Sequence, residues 1–305
     1  MDSTNVPRHL RRATAAAMIT MPGEARAVLE ERDALSTARV AATLSVKRAA
    51  ELLPNAAEAE ITRVDVDYHW EDDGLEVTVA TAGVSREGIG PRALLGATTC
   101  ATELADELGR MAGDISIEKA RIVDSSGGCS DLEYDFDPPV CAAILVVSDA
   151  VAGGHKDDRA GERVRTAVEE VSEQGVELVA YEVVGDDRGS VSDRLSTWSG
   201  EGVDLVLTVG GTGLAHTDVT IEAVEPLLDR PVPGLMEAVR DYGYEQTPLA
   251  WVSRGVCGLI GDTMVVTLPG STGGATEASQ VLFPAVLHVF RVLRKSREHL
   301  IGDEE

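Results

Sequence analysis

The sequence predicts two domains, an α+β domain followed by a doubly wound α/β domain. A length of 305 residues is enough for two domains of ordinary size, each with its own core. The first half contains segments in which apolar and polar residues alternate, whereas the second half alternates buried strands with helices. The paired prolines Pro138-Pro139 fix two successive φ angles between the halves. We therefore expect domains at residues 1–137 and 138–305.

The first half has the pattern of helices packed on a half-exposed antiparallel sheet. The predicted elements are, in order, helices over residues 25–29 and 35–53, strands over 61–70 and 75–84, a helix over 93–108 and a strand over 115–123. Acidic residues and Gly74 form the expected turn between the two adjacent strands. The order α-β-β-α-β predicts a ferredoxin-like α+β fold.

The second half alternates strand and helix along its length. The predicted elements are, in order, a strand over residues 141–147, a helix over 158–174, a strand over 176–184, a helix over 190–198, a strand over 205–208, a helix after residue 218, a strand over 263–268 and a long helix from about residue 275 through residue 292. Alternation of this kind predicts parallel strands joined by right-handed crossovers. Such sheets bind ligands in a crevice at the carboxyl ends of their strands.

The segment Leu205–Leu228 has the clearest functional pattern in the chain. Its buried strand is followed by four residues that can cradle an anion: Gly210, Gly211, Thr212 and Gly213. We expect Thr217 or Asp218 to N-cap the next helix, which would direct backbone N–H groups towards the glycines. A carboxylate beside a bound phosphate favours a shared Mg²⁺. Because strand, glycines and helix also form ordinary α/β turns, and no Walker sequence is present, the spacing alone leaves both interpretations open.

Polar residues and glycines follow four of the predicted strands, where one crevice would collect them. These candidate ligand-binding residues are Ser148 and Asp149, Asp186 with Asp187 beside it, Gly210–Gly213 with Asp218, and Pro269, Gly270 and Ser271. Together they supply two glycine-containing anion loops, hydroxyl donors and several carboxylates. The coincidence is more specific than any one of the motifs.

The composition excludes several classes of function. With 52 acidic and 27 basic residues, the net charge is −25, which disfavours nucleic acid and anionic membranes as partners. We interpret this charge as a halophilic, haloarchaeal surface, with an acidic mesophilic protein as the alternative. The four cysteines form no CxxC pair, which favours reduced thiols in a cytoplasm. No apolar run reaches the roughly 20 residues that cross a bilayer.

The first half resembles the cyclic pyranopterin monophosphate synthase family, the MoaC-type enzymes of molybdenum cofactor synthesis. The resemblance runs from about Arg11 to Asp131 and depends on residues 36–54, 61–70 and 115–128. Several functional positions of that family are replaced. Its histidine falls on Ala57, its two glutamates fall on Gly90 and Arg92, and its lysine after the Asp106 position falls on Gly109.

These replacements predict a catalytically inactive first domain. Alanine, glycine and arginine cannot serve as the general acid or base, the carboxylates or the phosphate-binding lysine that the resemblance implies. We expect the domain to be retained for folding, assembly or ligand delivery. A displaced active site is the alternative, because geometry rather than sequence position defines a site.

The second half resembles the molybdopterin adenylyltransferase family, the MogA/MoaB-type proteins, from Ala142 to about Arg294. The matching segments are VSDA, VVGDDR, TVGGTGLAHTDVTIEAV, PVPGLMEAVR, SRGV and LPGST. The resemblance implies Mg²⁺-dependent transfer of AMP from ATP to the phosphate of molybdopterin. It implies Asp218 and Asp186 as catalytic and metal-binding residues. A lysine common after the Pro-Gly-Ser loop is replaced by Gly273, so Arg188 or Arg254 is expected to compensate.

We therefore expect a two-domain fusion in molybdenum or tungsten cofactor synthesis, an inactive MoaC-like domain followed by an adenylyltransferase domain, with other proteins of that synthesis as possible partners. Both resemblances imply a symmetric homo-oligomer, a trimer or hexamer. A non-catalytic molybdopterin carrier or assembly scaffold is the alternative, since it would use the same loops without turning over ATP. A metal-insertion protein is a third possibility, because the later enzyme of this synthesis, which inserts the metal, uses a related domain. That enzyme, however, resembles a larger chain with additional domains.

Overall fold

The computed structural model describes residues 7–54, 56, 59–72, 74–109 and 114–302. It divides the chain into two compact units, Met1–Asp131 and Leu132–Glu305. The division lies before the paired prolines at which the sequence places it. Residues 132–137 belong to the second unit because Tyr134 is buried in its core and the Phe136 N–H donates to the Gln174 carbonyl at 3.2 Å.

The first unit is an antiparallel sheet covered by helices. Its elements are β1 (His9–Thr20), α1 (Ala25–Glu31), α2 (Ala34–Lys47), α3 (Ala49–Leu52), β2 (Ala59–Glu71), β3 (Gly74–Ser85), α4 (Gly90–Leu108) and β4 (Ser116–Ser126). The strands lie in the order β2-β3-β1-β4, and every neighbouring pair is antiparallel. The hairpin of β2 and β3 and the following helix and strand are where the sequence pattern places them, within a few residues.

The sequence analysis missed β1, which is a central strand of this sheet. β1 pairs with β3 on one side and with β4 on the other. Its alanines have the highest helix propensity and give no alternating pattern, so local sequence does not predict a strand. The tertiary structure selects a strand because small side chains fit a position that is closely covered, and Ala15 and Ala17 are fully buried.

The long predicted helix over residues 35–53 was wrong in its extent and in its inner face. It ends at Lys47, and the short α3 follows after Arg48. Of the apolar residues that carry the predicted pattern, Val40 and Leu44 are exposed and Ala38 is buried; Ala42 and Val46, which were not part of that pattern, are buried as well. α2 packs closely on α4, and a Cβ on Gly96 would lie 2.6 Å from Cγ2 of Val46, so this contact uses small residues.

The second unit is a six-stranded sheet with helices on both faces. Its elements are β5 (Val140–Val147), α5 (Asp149–Ala152), α6 (Arg159–Glu169), β6 (Val176–Val184), α7 (Arg188–Gly200), β7 (Leu205–Val209), α8 (Thr220–Val224), β8 (Arg230–Pro231), α9 (Pro233–Gln246), β9 (Cys257–Ile260), β10 (Thr263–Leu268), α10 (Thr272–Leu282) and α11 (His288–Gly302). The strand order is β6-β5-β7-β10-β9-β8. β6, β5, β7 and β10 are parallel, as predicted, whereas β9 and β8 continue the sheet antiparallel to their neighbours.

Two cores, one on each face of this sheet, hold the parallel strands in place. Alternate residues of β5 and β7 enter opposite cores: Ile144 and Leu207 pack with α6, α9 and α10, and Leu145 and Val206 pack with α7 and α8. All five residues of β7 are buried. A strand buried on both faces can carry a continuous apolar run, which is the pattern that the sequence showed.

Two further predictions in this unit were wrong. The last predicted helix is interrupted, because α10 ends at Leu282 and Pro284 separates it from α11. The helix expected to have Thr217 or Asp218 as its N-cap has Val219 there instead, begins at Thr220 and has five residues. β8 and β9 were not predicted, since they have two and four residues and carry no alternating pattern.

Among the described residues, no helix is both long enough and apolar enough to cross a membrane. The four cysteines are all free thiols, two of them buried.

Candidate functional site

Two cavities open at the carboxyl edge of the parallel strands in the second unit. The smaller has a volume of about 180 Å³ and a largely charged wall. Its polar and glycine residues are Ser148, Lys156, Asp157, Asp158, Arg159, Asp186, Gly210, Gly211, Asp218, Gly270 and Thr272. The sequence-predicted Ser148, Asp186, Gly210 and Asp218 therefore share one enclosure.

The larger cavity has a volume of about 580 Å³ and a mainly apolar wall. The sequence-predicted residues that line it are Gly211, Thr212, Gly213, Asp218, Pro269, Gly270 and Ser271. Val239, Leu249 and Val252 supply much of its apolar surface. Gly211, Asp218 and Gly270 line both cavities, so these three residues form the wall that the cavities share.

The shared wall and the residue before it use backbone conformations and close contacts that favour glycine. Gly210 and Gly211 have φ values of +106° and +63°. A Cβ on Gly211 would lie 2.3 Å from Oγ1 of Thr220, and a Cβ on Gly270 would lie 3.0 Å from Cα of Gly210. Thr220 Oγ1 in turn donates to the Gly210 carbonyl at 2.8 Å. The loops after β7 and β10 are therefore in direct backbone contact, which leaves bare backbone facing the cavities.

Asp218 closes the glycine loop on itself and does not cap a helix. Its Oδ2 accepts a hydrogen bond from the Ala215 N–H at 2.8 Å, and its own N–H donates to the Ala215 carbonyl at 2.9 Å. The N-cap position of α8 is Val219, whose side chain makes no capping bond. The expectation of an Asp218 N-cap is thus wrong, because the carboxylate is held by its own loop.

Arg254, proposed from the sequence to compensate for a missing lysine, mainly holds this loop in position through hydrogen bonds, and we call this set of contacts the clamp. Its Nε donates to the Gly213 carbonyl at 2.8 Å, and its guanidinium also contacts the Asp218 carbonyl and the Glu222 carboxylate. The hydrogen bond from Arg254 lowers the pKa of Glu222 below its ordinary value. The clamp fixes the position of the loop, and most donors of this guanidinium are occupied by the protein.

Asp149 and Asp186 tie the ends of β5 and β6 together. The Asp149 N–H donates to Asp186 Oδ2 at 3.0 Å, and the Asp186 N–H donates to Asp149 Oδ1 at 2.9 Å. Asp186 lines the smaller cavity, whereas Asp149 lines neither cavity. Asp187 caps α7 through the Ser190 N–H at 2.7 Å, and this backbone hydrogen bond lowers the pKa of Asp187. Of Asp149, Asp186 and Asp187, therefore, Asp186 alone lines the smaller cavity.

The two serines predicted as ligand-binding residues also begin helices. Ser148 accepts from the Val151 N–H at 3.4 Å at the start of α5, and Ser271 accepts from the Gly274 N–H at 3.2 Å at the start of α10. Both serines still line a cavity, Ser148 the smaller and Ser271 the larger. Each hydroxyl can donate its proton to a ligand while it accepts the capping bond.

Sequence reasoning missed several charged residues of the site, of which Lys156, Arg159 and Glu277 matter most here. Lys156, in the loop before α6, and Arg159, the first residue of α6, are cations in the wall of the smaller cavity. Glu277, on α10, lines the larger one. Since Lys156 is one of only four lysines, its rarity was a usable signal, but no motif indicated that its loop folds over the strand ends. Glu277 gave no signal, because it lies within an ordinary helical pattern.

Two carboxylates of the smaller cavity, those of Asp186 and Asp218, are the side chains that would hold a magnesium ion shared with a phosphate ligand. No group of three or more His, Cys, Asp or Glu side chains that could hold a metal occurs in the described part of the chain. Asp186 and Asp218 each use one oxygen internally, and within the described residues the other oxygen of each makes no hydrogen bond. Mg²⁺ in proteins is commonly held by one or two carboxylates together with substrate phosphates. The donor set is sufficient for that arrangement.

In the first unit, the positions that replace the functional residues of the resembling family are far apart. Gly90 and Arg92 begin α4, and Gly109 follows its last residue. A helix of this length spans roughly 27 Å at about 1.5 Å per residue. Arg92 is buried, donates to the Val46 carbonyl at 3.4 Å, and burial lowers its pKa. Ala57, which stands at the expected histidine, lies outside the described residues.

We predict that Gly211→Ala destabilises the second unit more than Gly154→Ala. Both glycines have positive φ, +63° and +70°, so each alanine incurs a left-handed backbone cost of about 1–2 kcal/mol. A Cβ on Gly154 meets open space, whereas one on Gly211 would overlap Thr220. The Gly211 variant should lose at least about 1 kcal/mol more, measured by chemical denaturation. Equal losses would show that the loop relaxes freely.

The chain matches two known families in succession. The MoaC family matches residues 1–128, and the family described as "Probable molybdopterin binding domain" matches residues 143–288. A "Molybdenum cofactor biosynthesis bifunctional protein" of Chlorobaculum tepidum is 29% identical over 298 residues, 96% of this chain and 94% of that protein. The relative therefore aligns with both units over nearly its whole length.

Other similarities concern the second unit. The "Molybdenum cofactor biosynthesis protein B" of Staphylococcus carnosus is 33% identical over 163 residues, 52% of this chain and 94% of that protein. The crystal structure of the "Molybdopterin biosynthesis enzyme MoaB" from Thermus thermophilus is 40% identical, covers 50% of this chain and 95% of that chain, and has a TM-score of 0.47. The chain thus contains a MoaC-family segment followed by a MogA/MoaB-like segment that matches the probable molybdopterin binding domain, and it is a homologue of the bifunctional proteins of molybdenum cofactor biosynthesis.

Proposed function

We propose that the second unit transfers AMP from ATP to the terminal phosphate of molybdopterin. The observation that carries the proposal is the wall shared by a charged cavity and a larger, mainly apolar cavity. Triphosphate in the first and a pterin ring in the second would bring their phosphates together at Gly211, Asp218 and Gly270. Similarity to a probable molybdopterin binding domain and to proteins of molybdenum cofactor biosynthesis supports molybdopterin as one of the two substrates.

The reaction needs positioning and charge neutralisation more than covalent catalysis by the protein. An oxygen of the molybdopterin phosphate attacks the α-phosphorus of ATP, the bond from that phosphorus to the bridging oxygen breaks, and pyrophosphate leaves. The attacking and attacked groups are both anions. The bare backbone of the glycine loop offers N–H groups without a side chain in the way, and its rigid hydrogen bonding supports preorganisation.

Charged and hydroxyl side chains would bind the metal and the phosphate groups. Magnesium, held by Asp218 and Asp186 with phosphate oxygens, would neutralise triphosphate charge and orient the leaving group. Lys156 and Arg159 supply the positive charge that the missing lysine after the Pro-Gly-Ser loop would otherwise give. Ser148 and Ser271 can donate hydrogen bonds to phosphate oxygens from the two sides of the shared wall.

We predict that Asp218→Asn lowers the rate of pyrophosphate release by about 100-fold or more, because an amide keeps the loop contacts but cannot hold the metal. The assay combines the full chain, Mg-ATP and molybdopterin in buffers of low and high salt. Asp193→Asn, an exposed residue of α7 away from both cavities, is the matched control and should retain the wild-type rate.

The same assay separates transfer from the carrier function. Tight molybdopterin binding by the wild type with no pyrophosphate release, at any salt and with any divalent metal, would contradict the transferase proposal. The non-catalytic carrier or scaffold would then be the function that the cavities support.

We predict that Lys156→Gln raises the KM for Mg-ATP by about 10-fold and makes this KM less dependent on salt than in the wild type, since a phosphate-facing cation is lost. Steady-state kinetics over a range of NaCl concentrations measure both quantities. Lys119→Gln, in β4 of the first unit, is the charge-matched control. An unchanged KM in the Lys156 variant would leave Arg159 and the metal as the sources of countercharge.

We further propose that the first unit does not form cyclic pyranopterin monophosphate. The support is the buried structural role of Arg92 and the loss of the carboxylates, histidine and lysine of the resembling family. A symmetric homo-oligomer, which the resemblances imply, remains part of the proposal. Formation of the cyclic product by the full chain from its precursor, above a no-protein control, would contradict inactivity.

A further inference from the structure

The larger cavity contains one half-buried carboxyl group that the reaction described above does not use. Glu277 extends from α10 into a wall otherwise formed largely by apolar groups, among them Val239, Leu249 and Val252. Within the described residues, Glu277 has no hydrogen-bond or ion-pair partner. Burial raises the pKa of Glu277 above its ordinary value. The fold thus places a hydrogen-bond acceptor, the Glu277 carboxylate, in a cavity from which water is partly excluded.

The other ionisable groups of this cavity do not pair with Glu277. Arg240, the cation in the same wall, donates to the Gly255 carbonyl at 3.0 Å. Asp218 lies in the wall shared with the smaller cavity and is itself an acid. A carboxylate in such a setting is stabilised when a bound molecule brings N–H donors to it. The cavity therefore selects for ligands with a donor edge and an apolar face.

We propose that Glu277 recognises the 2-amino-4-oxopyrimidine edge of the pterin, accepting hydrogen bonds from its ring N3–H and its 2-amino group. This inference rests on the proposed function, in which the larger cavity takes the pterin end of the substrate. Two adjacent N–H donors in one plane match the two oxygens of a carboxylate. The flat ring would contact the apolar wall, and the phosphate end would reach Gly211 and Ser271.

A pair of rings that differ at one substituent tests the contact. Lumazine is pterin with a carbonyl in place of the 2-amino group, so it offers one donor fewer and presents an oxygen to the carboxylate. Calorimetric titration of the full wild-type chain should give pterin affinity about 10-fold or more above lumazine affinity. Glu277→Gln should bring the two affinities within about 3-fold of each other, because an amide offers one acceptor and one donor.

Controls separate recognition from folding. Glu237→Gln, an exposed position on α9 outside the cavity, should keep the wild-type preference. Thermal unfolding of the Glu277 variant should match that of the wild type or exceed it, since the variant removes a partly buried charge. Equal wild-type affinities for the two rings, no measurable pterin binding, or a preference that survives Glu277→Gln would overturn the proposal.

Guanine carries the same donor edge, so guanosine is the third ligand of the titration. Glu277-dependent binding of guanosine that is tighter than that of pterin would overturn the pterin assignment. The readout is binding and not transfer, which keeps the two proposals distinguishable. A chain that prefers pterin but releases no pyrophosphate refutes adenylyl transfer alone, and a chain that releases pyrophosphate without a ring preference refutes the role of Glu277 alone.

Discussion

Backbone contact between the loops after β7 and β10 is the constraint on which the site depends. Gly210 and Gly270 approach so closely that a side chain on Gly270 would meet Cα of Gly210 at 3.0 Å. The parallel pairing of β7 with β10 brings these loops side by side. Because both strands are buried on both faces of the sheet, the points at which the two loops begin are fixed. Because no side chain stands between them, the two cavities meet across a thin wall. A bulkier residue at either position would separate the cavities that the proposed reaction has to connect.

Several acids at this edge serve the fold before they serve any ligand. Asp149 and Asp186 exchange backbone hydrogen bonds, Asp187 begins α7, and Asp158 begins α6 through the Gly161 N–H at 2.8 Å. These bonds satisfy N–H groups that helix and strand ends leave unpaired. The carboxylates thus hold the loops in place, and two of these four acids, Asp158 and Asp186, also line the smaller cavity. Structural and functional roles are combined in the same side chains.

Two cations line the smaller cavity of a chain that is strongly acidic overall. A net charge of −25 repels nucleotides at long range, although salt screens this repulsion within about 10 Å at 0.1 M. At close range, Lys156, Arg159 and backbone N–H groups supply local attraction. The larger cavity has little charge, and its wall suits a ring more than a phosphate. The two cavities therefore differ in the chemistry of the ligands that they suit.

The sequence by itself determined the parallel strands, the glycine loop and the presence of Asp186 and Asp218 at strand ends. These features depend on local patterns: continuous apolar runs, clustered glycines and short polar residues where a strand stops. It did not determine β1, whose alanines favour a helix until neighbouring strands cover them. Nor did it determine the partners of Asp149, Asp218 and Arg254, or the arrival of Lys156 and Glu277 in the cavity walls. Only the tertiary structure decided these, because each depends on which distant loop packs against the strand ends.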